Sequence, residues 1–324
     1  MYALDKKAGK EAWSYDTRID GGPRSFHGNP LLSKETVFIS TDRGCGAEGG
    51  YIYAFEQQTG KLRWKLRAGG PSTSFAQIDG SIVFGTREDE WLSAEMNSGK
   101  LNWAFRDASP DPQCEIRTSP VTDGVGVYFV AHDGAIFALG RSGRRIWSQK
   151  PSSGVTTSLF MYKDVLYFGT RNGHVSGIDP ADGSPLGDLR TPAIPKGRFA
   201  WGLKGERYAE YVFASDKQDD RNQGTLLAFS DEFESVLWAR SAEQEWTSEQ
   251  PHLWKDWVIA GNCKGDVAAY RAADGKPAWS DHVKGCIRSF GHDDSTLYIG
   301  VQEGTVYAYQ PPKPPTRQQG PSSD

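Results

Sequence analysis

One segment recurs along the whole chain and limits what it can fold into. It reads YALDKKAGKEAW at 2–13, YAFEQQTGKLRW at 53–64 and LSAEMNSGKLNW at 92–103. It returns as FALGRSGRRIW at 137–147, LAFSDEFESVLW at 227–238 and VAAYRAADGKPAW at 267–279. A worn copy, VSGIDPADGSPLG at 175–187, carries Gly187 where the others carry tryptophan. The tryptophan position falls at 13, 64, 103, 147, 187, 238 and 279, at intervals of 51, 39, 44, 40, 51 and 41 residues. A period near 44 residues marks a stack of similar units, each needing its neighbours to bury its apolar faces.

Each unit reads as four short strands. An apolar stretch near Pro or Gly is followed by a β-branched and aromatic run, such as VYFVA at 127–131 or VLYFGT at 165–170. The YALD-type strand comes next, then a Gly-containing turn and the strand that ends in tryptophan. Short alternating runs bounded by Gly, Asp and Asn are strand signals. Four strands in about 44 residues, repeated, describe a β-propeller blade. The recurring indole is large enough to pack between blades, and its N–H needs an acceptor there.

The count gives the last two strands of a unit at 2–15, six full units, and three strands at 286–310. That is one strand more than seven blades of four. The expectation is an all-β, seven-bladed propeller of four-stranded antiparallel blades, closed by pairing Lys10–Tyr15 with the C-terminal strands. Tyr2–Asp5 is then surplus, or competes with Tyr307–Gln310, or an upstream segment precedes Met1. An eight-bladed ring would need three further strands. Residues 1–310 form one domain on this reading, and the Pro- and Ser-rich tail 311–324 is a disordered segment.

The chain has 324 residues and a formal net charge of −4, so the excess of Lys and Arg that nucleic acid or anionic membranes call for is absent. No apolar run is long enough to span a bilayer, and residues 1–20 lack the apolar core of a secretory signal. A monomer is expected. Cys45, Cys114, Cys263 and Cys286 show no metal-ligand spacing. Cys263 and Cys286 fall in adjacent blades and could meet as a disulfide or remain two thiols. Cys114 and Cys286 approach opposite sides of the ring and are not expected to pair.

Propeller ligands generally sit at one mouth of the central channel. Aligned innermost strands place His27, Thr73, Arg117, Thr157, Arg198, Ser248 and Arg288 at one position near that mouth. His27, Arg117, Arg198 and Arg288 could bind a carboxylate or phosphate, since guanidinium forks match such groups. They could equally pair with carboxylates such as Glu115, Glu245 or Glu249. A second ring, from the turn after the second strand, holds Asp42, Arg87, His132, Arg171, Asp216, Asn262 and Gln302. It suits a polar ligand, or it is an ordinary solvated rim. The long turns at 42–50 and 216–224 lie on this face, where extra length is often functional. Trp246 could wall a pocket or pack between blades. His27 and His132 are the candidate catalytic bases, should a nearby cysteine act as nucleophile.

The signature small-x-[DE]-x-x-[ST]-G-K-x-x-W resembles the tryptophan-docking motif of PQQ-like propeller repeats. That quinoprotein-type family includes alcohol dehydrogenases and the outer-membrane assembly lipoprotein BamB. The resemblance covers Tyr2 to about Gln310 and implies the fold more than the activity. The chain departs from the dehydrogenases: it lacks their adjacent cysteine pair and a C-x-x-C-H haem site, and it is much shorter. No cofactor is expected, neither PQQ nor calcium. The resemblance implies an extracytoplasmic location. The expected function is a non-catalytic scaffold binding a protein, a peptide or a small anionic ligand at the channel mouth. The alternative is a lyase, isomerase or hydrolase working with Arg and His of the same pocket.

Overall fold

A computed structural model describes residues 1–23, 25–26, 28–42, 49–88, 90–106, 118–204, 207–215, 224–230, 232–242, 246 and 250–310. Strands form as the turn chemistry dictates. In the first blade they are Leu31–Ser33, Thr36–Thr41, Gly50–Glu56 and Leu62–Ala68. Each pairs antiparallel with the next, so the sheet is a simple meander. Five more four-stranded sheets follow in the same order, spanning 76–106, 121–149, 160–190, 194–242 and 252–282. We number these six complete blades 1 to 6. First strands lie beside one another from blade to blade, as in blades 2, 3 and 4 and again in blades 5 and 6 and the C-terminal sheet. The blades therefore radiate from the side on which the chain enters each of them.

The two ends differ from expectation. Among the described residues there are six complete blades, not seven, with a three-stranded sheet after them and a two-stranded sheet before them. The C-terminal sheet contains Ile287–His292, Leu297–Val301 and Val306–Tyr309. The expected fourth strand of that sheet, Glu11–Ser14, pairs with Tyr2–Leu4 instead. Tyr2–Leu4 is thus neither surplus nor a competitor of Tyr307–Gln310. The reason is local: Asp5 and Lys10 close a tight hairpin, with Asp5 N donating to Lys10 O at 2.8 Å and Gly9 N to Asp5 O at 2.8 Å. Closing so short a loop costs far less entropy than joining segments almost 300 residues apart. Where the ends approach, Lys6 Nζ lies 3.5 Å from Asp293 Oδ2, without strand pairing between them.

The recurring indoles join one sheet to the next. Trp13, Trp64, Trp103, Trp147 and Trp238 each donate Nε1–H to a backbone carbonyl in the following blade's hairpin turn, at 2.8–3.1 Å. Each ring lies against a glycine of that turn. A Cβ on Gly60, Gly99, Gly143, Gly183 or Gly275 would fall 2.5–3.0 Å from the indole, and all five have φ between +66° and +76°. Glycine is needed there twice, for the turn conformation and for the seat. Opposite each indole across its own hairpin stands a small residue, for example Ala54 facing Trp64 and Ala138 facing Trp147. The pairing then skips one residue, so a β-bulge recurs beside every indole and turns it toward the next blade. The buried Trp279 Nε1 has no acceptor among the described residues. The repeat places that acceptor at position 311, outside them.

Blade 4 reverses the arrangement. With no indole at Gly187, Phe233 from the turn of blade 5 reaches back: a Cβ on Gly187 would lie 2.3 Å from its ring, and one on Gly177 2.1 Å. Phe233 has φ +59°, a conformation glycine would hold more easily, and stacks on Tyr167 at 5.1 Å between centroids. Gly187→Trp should therefore overfill this joint and lower stability by about 1–3 kcal/mol. Adding Phe233→Gly restores the ordinary arrangement and should recover most of the loss. Urea midpoints of the two single variants and the double variant measure this, and additive losses would reject the exchange.

A second bond series runs around the inner strands. Asn29 N donates to Ser74 Oγ at 2.9 Å, Ser74 N to Ser119 Oγ at 3.0 Å, and Ser119 N to Ser158 Oγ at 3.3 Å. Each hydroxyl accepts from a backbone N–H of the preceding blade and so links successive inner strands.

Candidate functional site

Strand register fixes which residues share the predicted inner position. Ala76 faces Val83, Val121 faces Tyr128 and Phe160 faces Tyr167. Counting back, Thr73, Thr118 and Thr157 are equivalent, and Arg117 stands one residue earlier. At blade 3 the position predicted for Arg117 therefore belongs to Thr118. These threonines serve the blades: Thr73 Oγ1 accepts from Gly85 N at 2.9 Å, Thr157 Oγ1 accepts from Gly169 N at 2.8 Å, and Thr118 Oγ1 donates to Val130 O at 3.0 Å. His27, Arg117 and Asp216, with Ser248, Cys45 and Cys114, lie outside the described residues. Arg198 falls in the Ile194–Lys204 strand, and its side chain is likewise outside them. Arg288 is described. Its Nε and Nη2 fork onto Gln302 Oε1 at 3.0 and 2.6 Å, which joins one member of each predicted ring.

Two members of the second ring meet each other, and a third closes its own turn. Asp42, fully buried, accepts from Arg87 Nε at 3.0 Å across the joint between blades 1 and 2. Asn262 closes its own turn, accepting from Lys264 N at 2.9 Å and Asp266 N at 3.0 Å. Arg171 N donates to Gly154 O at 2.9 Å. His132 stands in its turn beside Asp133, which accepts from Lys150 Nζ at 2.7 Å. Trp246 is buried with Leu226, Trp238 and Val258, so it packs between blades and does not wall an open pocket. Cys263 and Cys286 form a disulfide that joins blade 6 to the C-terminal sheet. Among the described residues no three His, Cys, Asp or Glu side chains gather as metal ligands, and no helix is long and apolar enough to cross a membrane.

The opening that stands out lies where the chain ends approach. A cavity of about 1010 Å³ is bounded by the N-terminal hairpin, blade 1, the first strand of blade 6 and the C-terminal sheet. Leu4, Trp13, Leu32 and Phe290 give it apolar walls, and His252 and Arg288 polar ones. His252 Nε2 lies 2.9 Å from His292 Nδ1 in the next sheet. No motif in the sequence joins these two histidines. Their separation of 40 residues, one repeat length, is the signal that could have done so.

Burial, and secondarily the charge of His292, lower the His252 pKa from 6.5 to about 4. The neutral His252 ring donates to or accepts from its neighbour according to its tautomer. The unfolded chain binds a proton near pH 6.5 that the folded chain refuses until about pH 4. Stability should therefore be level above pH 6.5 and decline as pH falls from there toward 4. His252→Gln is expected to flatten that decline in thermal melts taken between pH 7 and 4.5. Equal slopes in both proteins would count against the pair.

These features define a PQQ-like propeller repeat protein. A family model described as outer membrane protein assembly factor BamB matches residues 1–281, and the chain belongs to that family. It is 22% identical over 286 residues to the outer membrane protein assembly factor BamB of Shewanella oneidensis, covering 81% of this chain and 67% of that protein. It is 23% identical over 246 residues to the dehydrogenase subunit of the quinone alcohol dehydrogenase of Gluconobacter oxydans. There it covers 67% of this chain and only 31% of the relative, about a third of its length. The crystal structure of BamB from Moraxella catarrhalis superposes with a TM-score of 0.71 at 17% identity, over 93% of this chain and 88% of that one. That likeness establishes the common fold.

Proposed function

We propose that the protein is a non-catalytic scaffold that holds polypeptide segments outside the cytoplasm, in the service of outer-membrane protein assembly. The observation that carries this reading is the family match over residues 1–281. Two features support it. The side chains of Asp42, Arg87, Asn262 and Gln302 in the second ring are bonded to neighbouring protein groups, as structural residues are. The Cys263–Cys286 bond suits an oxidising compartment.

The test is a titration of the protein against a urea-unfolded outer-membrane β-barrel protein diluted into buffer, followed by fluorescence anisotropy. Saturable binding in the micromolar range is expected, and no binding would overturn the reading. A parallel titration with PQQ and calcium should give no micromolar binding. Tight PQQ uptake coupled to dye reduction with an alcohol would move the protein to the dehydrogenases.

A further inference from the structure

The joint between blades 3 and 4 lacks a side chain that most complete blades supply. On the third strand of a blade, the residue just before the small one that faces the indole packs against the preceding sheet. It is Tyr53 in blade 1, Leu92 in blade 2, Phe137 in blade 3 and Leu227 in blade 5, all buried. Leu92 packs with Ile52 and Ala54 of blade 1, and Phe137 with Trp91 of blade 2. Blade 6 has Ala268 there, and Trp246 packs with it. Blade 4 has Ser176, opposite Asp188 on the outer strand. Ile178, two residues on and so on the same face, packs with Ile136 and Ala138 of blade 3. A pocket of about 310 Å³ lies where the large apolar side chain would be, between residues 149–153 and the two outer strands of blade 4.

The polar groups of this pocket are held in place. Ser176 Oγ donates to Asp188 Oδ1 at 2.6 Å, and His174 Nδ1 lies 2.5 Å from Asp188 Oδ2. Nδ1–H donates to that carboxylate, which fixes the ring and leaves Nε2 without a partner among the described residues. Asn172 Oδ1 accepts from Thr170 Oγ1 at 2.6 Å, so its amide NH2 is left to donate. Gln149 adds a second amide, and Phe168, Pro151 and Pro185 give apolar wall. Donors and acceptors are therefore mixed around a partly apolar surface. The one carboxylate of the lining already has two protein donors. It offers a cation little uncompensated charge, and it repels an anion. A neutral ligand with several hydroxyls on a carbon frame matches this lining, because each hydroxyl both donates and accepts.

We infer that the joint between blades 3 and 4 binds a single sugar ring. The ring hydroxyls bond to Asp188, His174 Nε2 and the two amides, and its carbon face lies against the apolar wall. The ring is either a free monosaccharide or the end of a glycan, which present the same hydroxyls. The site is remote from both predicted rings and does not depend on the polypeptide-binding reading above.

Glucose, galactose, mannose and N-acetylglucosamine, with their methyl glycosides, are the probes. At least one should show saturation-transfer NMR signals with a millimolar Kd. It should also shield His174 from diethyl pyrocarbonate, read by peptide mass spectrometry. Asp188→Asn should weaken binding about ten-fold or more, since a bond to a charged acceptor is lost and His174 is released. Ser176→Leu places the blade 2 residue in the pocket. It should abolish binding while the melting temperature holds or rises, as filling a void does. A methyl glycoside that binds as its parent sugar does gives the site to glycan ends, and one that fails where its sugar binds gives it to free sugars. No transfer from any probe, no shielding of His174, or undiminished binding by both variants overturns the inference. Binding of arginine amide in place of every sugar also overturns it, by giving the pocket to a basic side chain. If the sugars fail while the unfolded barrel protein still binds, the scaffold reading stands and this site alone falls.

Discussion

Trp64→Ala should unfold with a stability loss of about 3 kcal/mol or more, the scale of removing a large aromatic from a packed joint. The indole lies between blades 1 and 2, 5.7 Å from the Phe38 ring and over Gly99, among Ile52, Ile82, Phe84 and Leu92. Its removal opens a void that neither sheet can fill, because Gly99 has no side chain and Ala54 faces the same space. It also leaves the Met96 carbonyl without the donor it has at 2.9 Å. Trp64→Phe separates the two contributions. It keeps most of the ring, loses the hydrogen bond, and should cost about 1 kcal/mol. Thermal and urea unfolding of the two variants give the measurement. In a stack whose units touch only their neighbours, the damage should begin locally. Hydrogen exchange in Trp64→Ala should therefore rise first in blades 1 and 2. A melting temperature within a degree of the parent's would mean that the indole does not bear on the joint.

The blades were legible because their physics is local and repeated. The small residue opening each signature faces the indole across the hairpin, the glycine seats the indole of the preceding sheet, and the tryptophan reaches forward. All three show in a single chain once its copies are aligned. Phe233 was not legible. A phenylalanine in a polar turn says nothing until it is known to face a blade that lacks its indole at Gly187. The ends were misread for a related reason. Strand counting treats all pairings as equal, whereas the Asp5–Lys10 hairpin forms at short range and holds Glu11–Ser14 against Tyr2–Leu4. Contacts within the predicted rings were not legible: Arg87 meets Asp42 across a blade joint and Arg288 meets Gln302 within the C-terminal sheet, and sequence gives no angle around the strand from which to read either. Counting back from Val121 puts Thr118, not Arg117, at the position of Thr73, a slip of the one residue that strand alternation makes decisive.

Reducing the Cys263–Cys286 disulfide should destabilise the protein by about 3 kcal/mol, the amount expected for a cross-link closing a loop of this size. The two cysteines are 23 residues apart, so the bond constrains the unfolded chain considerably. Its place in the fold adds a second reason. Among the described residues the C-terminal sheet lacks a fourth strand, and it is held to blade 6 on one side only by full sheet packing. The packing joins Trp254, Ile259 and Val267 to Ile287, Leu297 and Ile299, with Trp254 Nε1 donating to Asp293 O at 2.8 Å. On the far side the described polar link is the Lys6–Asp293 ion pair, which is exposed on the Lys6 side and worth little in water. The covalent bond therefore secures the least supported sheet. Cys263 is exposed while Cys286 is buried, so a reductant can reach the bond without prior unfolding. Dithiothreitol should lower the melting temperature of the parent and leave that of Cys263→Ser/Cys286→Ser unchanged at the lower value. Mass spectrometry of the unreduced digest should recover the two cysteine peptides joined. Under reduction, exchange should rise first at 287–309, the sheet that the bond secures.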